Sequence, residues 1–363
     1  MSTPALRRTP LYHWHRGHGA HLAEFAGWEM PLWYGRVTDE VKAVRQAAGL
    51  FDVSHMGQVE LRGCGAFATV QYVATNDARR LGDGQAQYSL LCAEHGGVLD
   101  DIIVYRLAAE RFLLCVNAAN TARDVDWIRS HNREAMILDR SDDFALLALQ
   151  GPRATEILGA LGVHTCAGVR RFHVLAAEIV GFSVLLARTG YTGEDGWEIF
   201  CPPEAAEPIW LALLEAGSPA GLRPAGLAAR DLLRLEAALP LYGHELHDGV
   251  TPLEAGLGWA VRFEKGEFVG RQALWERAQR GVERKLAGMV LTEPGIPRQG
   301  YPVVKAGKEI GVVTSGGKSP TLGKSIALGY LASAFAVLGE TVHIDVRGRA
   351  LAAQIVELPF YKR

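Results

Sequence analysis

Six short β-type segments follow one another after residue 285, separated by turns rich in glycine and proline. They are LAGMVLT, YPVVKAG, EIGVVTSGG, SIALGYL, ETVHIDVRG and AAQIVELPF. Short strands at such regular spacing are typical of a small all-β barrel or sandwich. The charged stretch ERAQRGVERK (276–285) just before them is expected to end a helix. We therefore expect a domain boundary at about residues 275–285, leading into a C-terminal β domain.

The rest of the chain mixes strands and helices without a regular alternation. The pattern predicts a helix over 36–49 ended by Gly49, a strand over 50–61, and a hairpin from Gln87 to Tyr105 that turns at Ala93–Gly97. Further strands are predicted at 111–117, 144–150 and 182–189 and after the turn at 190–195, and further helices at 118–130, 153–161, 203–216 and 226–238. Because βαβ units do not repeat, the fold class is predicted to be α+β and not doubly wound.

Composition limits the function further. With 363 residues the chain is long enough for two or three domains. A formal net charge of −2 leaves no basic footprint, so nucleic-acid binding is not expected as its task. No uninterrupted run of apolar residues approaches the length of a transmembrane helix. Met1–Pro10 has arginines but lacks the apolar stretch of a secretory signal. The five cysteines are scattered and are expected to be buried thiols, so a reducing, cytoplasmic location is expected.

Two local patterns resemble known ligand-binding motifs without matching them. Gly316-Gly317-Lys318-Ser319 resembles the end of a phosphate-binding loop, but Val312 occupies the position where that motif needs glycine. His13, His15, His18 and His21 lie close together near the N-terminus. Their spacing fits no zinc template, and we expect surface and capping histidines. No metal site is therefore predicted.

The acidic pair Asp100-Asp101 closes the segment GGVLDD and is the strongest candidate for chemistry. Successive side chains of a strand point to opposite faces, so one carboxylate can face solvent while the other faces a cavity. A carboxylate half-buried between Leu99 and Ile102 has a perturbed pKa and can transfer protons or stabilise a cation. On the local pattern alone, a solvated hairpin end is the favoured interpretation.

Two further segments could bind a polar ligand. Glu198 lies on a predicted strand between Trp197 and Ile199, where its carboxylate could accept hydrogen bonds from the N–H groups of a heterocycle. Arg230 and Arg234 are four residues apart on one helix face and could bind a carboxylate-bearing ligand. The alternatives are an edge-exposed glutamate and arginines paired with nearby acids.

Taken together, these segments resemble the T-protein (aminomethyltransferase) family of the glycine cleavage system from end to end. The matching motifs are RRTPLY (7–12), FAGWEMP (25–31), GLFDVSHMG (49–57), GGVLDD (96–101), ALLALQGP (145–152), RTGYTGEDGWEI (188–199), GLAARDLLRLEAALPLYG (226–243), TPLEAGLGW (251–259), FVGRQAL (268–274), IGVVTSGGKSPTLGKSIALGYL (310–331) and the ending LPFYKR. So many matches in one order are not a chance event. His13 and His21 depart from the family pattern at positions that match no site residue.

The resemblance implies a three-domain cloverleaf of α+β class with folate in a central channel. Residues 1–275 would form the folate-binding region, with two interleaved subdomains of approximately 1–51 plus 143–240 and 52–142 plus 241–275. Residues 276–363 would form the C-terminal β-barrel.

The resemblance also implies roles for individual residues. Asp101 matches the catalytic aspartate of the family. The positions that match folate-contacting residues are Met56, Tyr88, Tyr105, Asn117, Tyr191, Glu198 and Arg230, with Tyr361 near the C-terminus as a further site residue. Asp100, expected on the opposite face of its strand, is assigned a structural role.

The implied activity is transfer of the methylene carbon of an aminomethyl group, carried on the dihydrolipoyl arm of the H-protein, to tetrahydrofolate. The expected products are 5,10-methylenetetrahydrofolate and ammonia, and the expected partners are the lipoylated H-protein and tetrahydrofolate, without metal, membrane or nucleic acid. One alternative is a related tetrahydrofolate-dependent demethylase that uses a small methylated donor. The other is a folate-binding iron–sulfur assembly protein, which the segment Lys265–Arg271 disfavours because it lacks the cysteine those proteins carry.

Overall fold

The computed structural model describes residues 5–363, so the first four residues of the predicted N-terminal stretch lie outside it. The chain forms two compact units. The first contains the chain up to Thr69 together with Leu81–Gln87 and Ile103–Asp231, and the second contains Val70–Arg80, Tyr88–Ile102 and Leu232–Arg363. Each unit is therefore assembled from separate stretches of sequence.

Eight α-helices occur in the described part of the chain. They are α1 (Tyr12–Gly17), α2 (Val37–Gln46), α3 (Ala66–Val73), α4 (Thr121–Ser130), α5 (Ala154–Ala160), α6 (Ala206–Gly217), α7 (Leu227–Glu236) and α8 (Arg271–Arg280). None of the helices within residues 5–363 is long and apolar enough to span a bilayer.

The strands outnumber the helices. They are β1 (His21–Phe25), β2 (Trp28–Trp33), β3 (Ala48–Asp52), β4 (Gly57–Arg62), β5 (Gln85–Cys92), β6 (Val98–Ala108), β7 (Arg111–Val116), β8 (Met136–Asp139), β9 (Ala145–Gln150), β10 (Val174–Ile179), β11 (Phe182–Ala187), β12 (Gly196–Cys201), β13 (Leu222–Pro224), β14 (Arg284–Leu291), β15 (Pro302–Lys305), β16 (Lys308–Lys318), β17 (Ser325–Ala332), β18 (Thr341–Val346) and β19 (Arg349–Val356).

The first unit is built on a six-stranded sheet with the order β10-β11-β12-β9-β3-β13. Every residue of β3, β9 and β12 is buried, as expected for central strands covered on both faces. The neighbours pair antiparallel except β13, which runs parallel to β3 with Pro224 opposite Leu50. Trp197, Trp210 and Leu147 belong to the apolar core packed on this sheet.

A second sheet has the order β5-β6-β7-β4-β8. Within the first unit, β7 pairs antiparallel with β4 and with the end of β6, where Tyr105 lies opposite Leu113. Since Leu113 and Tyr105 are buried, these central strands supply a second stable platform for polar side chains.

Strands β14–β19 of the second unit close into a six-stranded barrel with the order β14-β17-β16-β15-β18-β19. The pairing of β14 with β19 completes the closure, which leaves no open sheet edge. Met289, Val313 and Ile344 are among the buried side chains that fill the interior. The predicted α+β class with a C-terminal β-barrel is confirmed.

Several local predictions need correction. The strand expected over 50–61 is two strands, β3 and β4, separated by a turn at Val53–Met56. Cys64 is exposed in the turn after β4, whereas the other four cysteines are buried as predicted. His15 is fully buried and hydrogen-bonded to Asp52, so its assignment as a surface or capping histidine is wrong.

Candidate functional site

Glu198 lies on the central strand β12 of the first unit and is 8% exposed. Its Oε2 accepts a hydrogen bond of 2.5 Å from the Thr189 hydroxyl and one of 3.4 Å from the Tyr105 hydroxyl. Among the residues that the structure describes, no donor bonds to Oε1. A carboxylate this deeply placed requires hydrogen-bond partners, so Oε1 is the natural acceptor for a ligand.

Tyr105 reaches this carboxylate from β6 and is fully buried. Its hydroxyl lies 3.3 Å from the Thr189 hydroxyl, and its ring packs edge-on against Phe200 at 5.5 Å between centroids. Burial and the negative charge of Glu198 raise the pKa of Tyr105, so the phenol keeps its proton at all physiological pH values. Tyr105 therefore acts as a donor that fixes the orientation of the carboxylate.

Arg230 enters the same region from α7. Its guanidinium carbon lies 4.9 Å from the centroid of the Tyr191 ring, which places a cation over an aromatic face. Burial lowers the pKa of Arg230, and the negative charge of Glu198 counteracts this effect. The Nη1 atom is buried and, within the described residues, has no hydrogen-bond partner. The first unit thus brings Tyr105, Glu198, Arg230 and Tyr191 into one polar cluster.

Met56 and Asn117 occupy chain turns of the same unit. Met56 is half-buried at the end of the Val53–Met56 turn, where its carbonyl accepts a 2.8 Å hydrogen bond from Gln58. Asn117 follows β7, and its carbonyl accepts from the amide of Asn120 at 2.9 Å before α4 begins. The predicted position of Asn117, between a strand and a helix, is confirmed.

The hairpin of the second unit carries the acidic pair. Asp100 is fully buried and Asp101 is half-buried, so the strand alternation separates the two carboxylates as predicted. The preceding turn requires glycine at two positions: Gly96 has φ +88°, and a Cβ on Gly97 would lie 1.8 Å from the carbonyl oxygen of Asp248. These glycines hold the hairpin tip close to the neighbouring backbone.

Tyr88 is hydrogen-bonded to Asp101 in this unit. Its hydroxyl donates a 3.2 Å hydrogen bond to Oδ2 of Asp101. The Tyr88 ring lies 5.5 Å from the indole of Trp259, which is 54% exposed. The acid therefore has a hydrogen-bond donor beside it, carried on a ring that itself packs against Trp259.

Tyr361 and Arg234 have positions that the sequence did not resolve. The amide of Tyr361 donates a 2.8 Å hydrogen bond to the carbonyl of Glu236, at the end of α7. Arg234 is 1% exposed and donates to Glu245 at 2.7 Å and to Ser315 at 2.8 Å. The alternative in which an arginine of this helix pairs with an acid is thus correct for Arg234.

Three residues of these clusters escaped the sequence analysis. All three lie inside motifs that matched the family, and His55 also lies in the turn between the buried strands β3 and β4. A polar residue amid such buried segments was the available signal for His55. Within residues 5–363 no group of three or more His, Cys, Asp and Glu side chains could hold a metal ion.

Comparison with known proteins places this architecture. The family described as GCVT N-terminal domain matches residues 11–265, and the glycine cleavage T-protein C-terminal barrel domain matches residues 284–362. An aminomethyltransferase of Desulfitobacterium hafniense (strain Y51) is 52% identical over 360 residues, covering 99% of each chain. This chain belongs to the glycine cleavage T-protein family.

Other T-protein relatives agree with this assignment. An aminomethyltransferase of Symbiobacterium thermophilum is 50% identical over 369 residues, covering 99% of this chain and 98% of the relative. The crystal structure of the glycine cleavage system aminomethyltransferase T from Bartonella henselae superposes with a TM-score of 0.93 at 37% identity, covering 98% of both chains. The family membership expected from the sequence is confirmed, and the structural match extends over nearly all of the chain.

Proposed function

We propose that this T-protein transfers the methylene carbon of an aminomethyl group, carried on the dihydrolipoyl arm of the H-protein, to tetrahydrofolate. The observation that carries the proposal is the buried Glu198 carboxylate, with one oxygen held by two hydroxyls and the other unpaired beside Arg230. A reduced pterin presents adjacent N–H groups along one edge, and a buried carboxylate is the acceptor that such an edge needs.

The aromatic and cationic neighbours support the same ligand. The Tyr191 ring under Arg230 offers an apolar face for a planar heterocycle, and the guanidinium offers N–H donors to carbonyl or carboxylate oxygens. Met56 and Asn117 are proposed to complete the folate contacts in the first unit, and Tyr88 and Tyr361 in the second. In this proposal residues 1–275 form the folate-binding region in two interleaved subdomains, residues 276–363 form the barrel domain, and the enzyme acts in the cytoplasm without a metal.

Asp101 is the proposed catalytic residue. Breaking the carbon–sulfur bond of the aminomethyl group leaves a thiolate and a methylene-iminium cation, which a nearby carboxylate stabilises. N5 of tetrahydrofolate then bonds to the methylene carbon, and its proton passes to Asp101. N10 then bonds to the same carbon, the bond from that carbon to the amine breaks, and the N10 proton leaves with the amine as ammonia. The proton that Asp101 took from N5 passes to the thiolate and gives the dihydrolipoyl thiol. The Tyr88 hydroxyl on Oδ2 would orient the carboxylate for this proton transfer.

The direct test is ammonia release from aminomethylated H-protein, measured with and without tetrahydrofolate. The proposal expects fast ammonia release together with 5,10-methylenetetrahydrofolate only when tetrahydrofolate is present. Turnover of a small methylated amine without H-protein would instead assign the related demethylase activity. Absence of any folate-dependent turnover would contradict both.

A further inference from the structure

His55 lies in a turn that the surrounding structure fixes on both sides. The amide of Ser54 donates to Oδ1 of Asp52 at 2.9 Å, and the amide of Leu146 donates to the Ser54 hydroxyl at 3.1 Å. After His55, the amide of Met56 donates to the carbonyl of Val53 at 3.1 Å. A turn with this many hydrogen bonds holds its side chains in place.

Asp52, at the start of the turn, is itself firmly held. It is 2% exposed, and its Oδ2 lies 2.9 Å from Nε2 of His15, whose Nδ1 lies 2.7 Å from the Tyr34 hydroxyl. Although burial alone would raise it, the hydrogen bond and charge of His15 keep the pKa of Asp52 below its ordinary value. The turn therefore starts from a rigid, negatively charged base.

The His55 imidazole is 5% exposed and packs edge-on against the Phe25 ring at 5.6 Å between centroids. Its Nδ1 is buried and has no hydrogen-bond partner among residues 5–363. Burial and the positive charge of Arg230 lower the pKa of His55 to about 4. At neutral pH the ring is uncharged, so one of its two nitrogens is an acceptor.

The sheet topology brings His55 and Arg230 to the same place. Strands β3 and β13 run parallel with Pro224 opposite Leu50, so the two segments that follow these strands leave the sheet at the same end. The segment after β3 forms the turn that contains His55, and the segment after β13 forms α7, which carries Arg230. Two buried polar atoms without partners among the described residues therefore lie in one region: Nη1 of Arg230, which is a donor, and Nδ1 of His55, which can accept.

Buried polar atoms are rarely left unpaired because the cost in free energy is large. We propose that His55 is a positioning residue for Arg230, whose Nη1 donates to Nδ1 of His55 when the guanidinium engages folate. Because the turn is rigid and an arginine side chain is long, Arg230 is the partner that moves. This inference rests on the proposed folate site, and it adds a residue that orients the arginine without touching the ligand.

Asparagine and glutamine distinguish the two imidazole nitrogens. In the His55→Asn variant the amide group of the shorter side chain lies near the position of Nδ1, whereas the longer side chain of His55→Gln places its amide near the position of Nε2. We expect His55→Asn to bind 5-formyltetrahydrofolate within about twofold of the original chain, and His55→Gln and His55→Leu to bind about tenfold more weakly. The Michaelis constant for aminomethylated H-protein should stay unchanged in all three. Equal affinities for the asparagine and glutamine variants would overturn the proposal.

A double-mutant cycle tests whether His55 acts through Arg230. In an Arg230→Ala background, the same His55→Gln change should have no further effect on 5-formyltetrahydrofolate binding. A repeated tenfold loss in that background would overturn the inference. If the original chain binds no reduced folate, the proposed function itself fails; normal binding with an unaffected His55→Gln variant refutes this inference alone.

Discussion

Two buried glutamates, each beside an arginine of α7, differ in how completely they are paired. In the second unit, Glu245 accepts from Arg234 at 2.7 Å and from the Leu241 amide at 3.0 Å through Oε2, and from Thr314 at 2.5 Å through Oε1. In the first unit, Glu198 has donors on one oxygen only within the described residues, and Arg230 has an unpartnered nitrogen there. The saturated cluster stabilises the fold, and the unsaturated cluster has bonding capacity that a ligand can use.

The largest effect should come from breaking the saturated cluster. Arg234→Met leaves Glu245 buried and charged without its cation, which should lower the free energy of unfolding by about 3–5 kcal/mol. Denaturant unfolding monitored by circular dichroism measures this loss. The matched control is Arg280→Met, since Arg280 is 76% exposed and its ion pair with Glu276 should contribute less than about 0.5 kcal/mol. Equal losses in the two variants would show that the Glu245 cluster is not structural.

Replacing the proposed acid should affect turnover and not stability. Asp101→Asn keeps the shape and the hydrogen bond from Tyr88 but cannot accept a proton, so turnover should fall by roughly 100-fold or more while folate binding is largely kept. Ammonia release from aminomethylated H-protein measures it. Tyr88→Phe, which removes only the donor on Oδ2, should have a much smaller effect. Near-normal turnover of Asp101→Asn would exclude the catalytic role.

The free energy of unfolding should also depend on pH through His55, which is close enough to Arg230 for their charges to interact. The pKa of His55, about 4, lies below the ordinary value of 6.5, so between these values the unfolded chain binds a proton that the folded chain does not. Stability is therefore present above pH 6.5 and is lost as the pH falls towards 4, by about 2 kcal/mol between pH 7 and pH 5. Denaturant unfolding at both pH values should show this loss reduced in His55→Asn. An identical pH dependence in the variant would mean that other groups cause it.

The smallest effect is expected at Glu198, whose Oε1 is proposed to bind the ligand. Glu198→Gln keeps an oxygen that can accept the hydrogen bond from Thr189. The change puts an NH2 group in place of the other oxygen and removes the negative charge, so affinity for 5-formyltetrahydrofolate should fall by about tenfold. Isothermal titration calorimetry measures the change, and Glu178→Gln on the exposed face of β10 serves as the control. If Glu198→Gln lowered stability and left affinity unchanged, the two glutamates would have the same structural role.

The secondary structure and the family could be predicted well from the sequence, because both depend on residues that are close together in the chain. The barrel strands, the hairpin at Gln87–Tyr105 and the separate faces of Asp100 and Asp101 all follow from local patterns. The partners of each polar side chain do not. Arg234 and Glu245 meet only because the chain reverses after α7, and Thr189, Tyr105 and Glu198 converge from different parts of the sequence. His55 was missed for the same reason, since its ring packs against Phe25, which belongs to a different part of the sequence.

The four-residue spacing of Arg230 and Arg234 on α7 has an evolutionary consequence. Arg234 is paired with Glu245 of the same chain, so relatives that lose this arginine should carry a compensating change at position 245. Arg230 is proposed to bind folate. Because the structure of folate does not change between species, no substitution at a second position can compensate for the loss of this arginine. Across a large alignment, position 234 should covary and position 230 should stay fixed wherever the same pterin is bound.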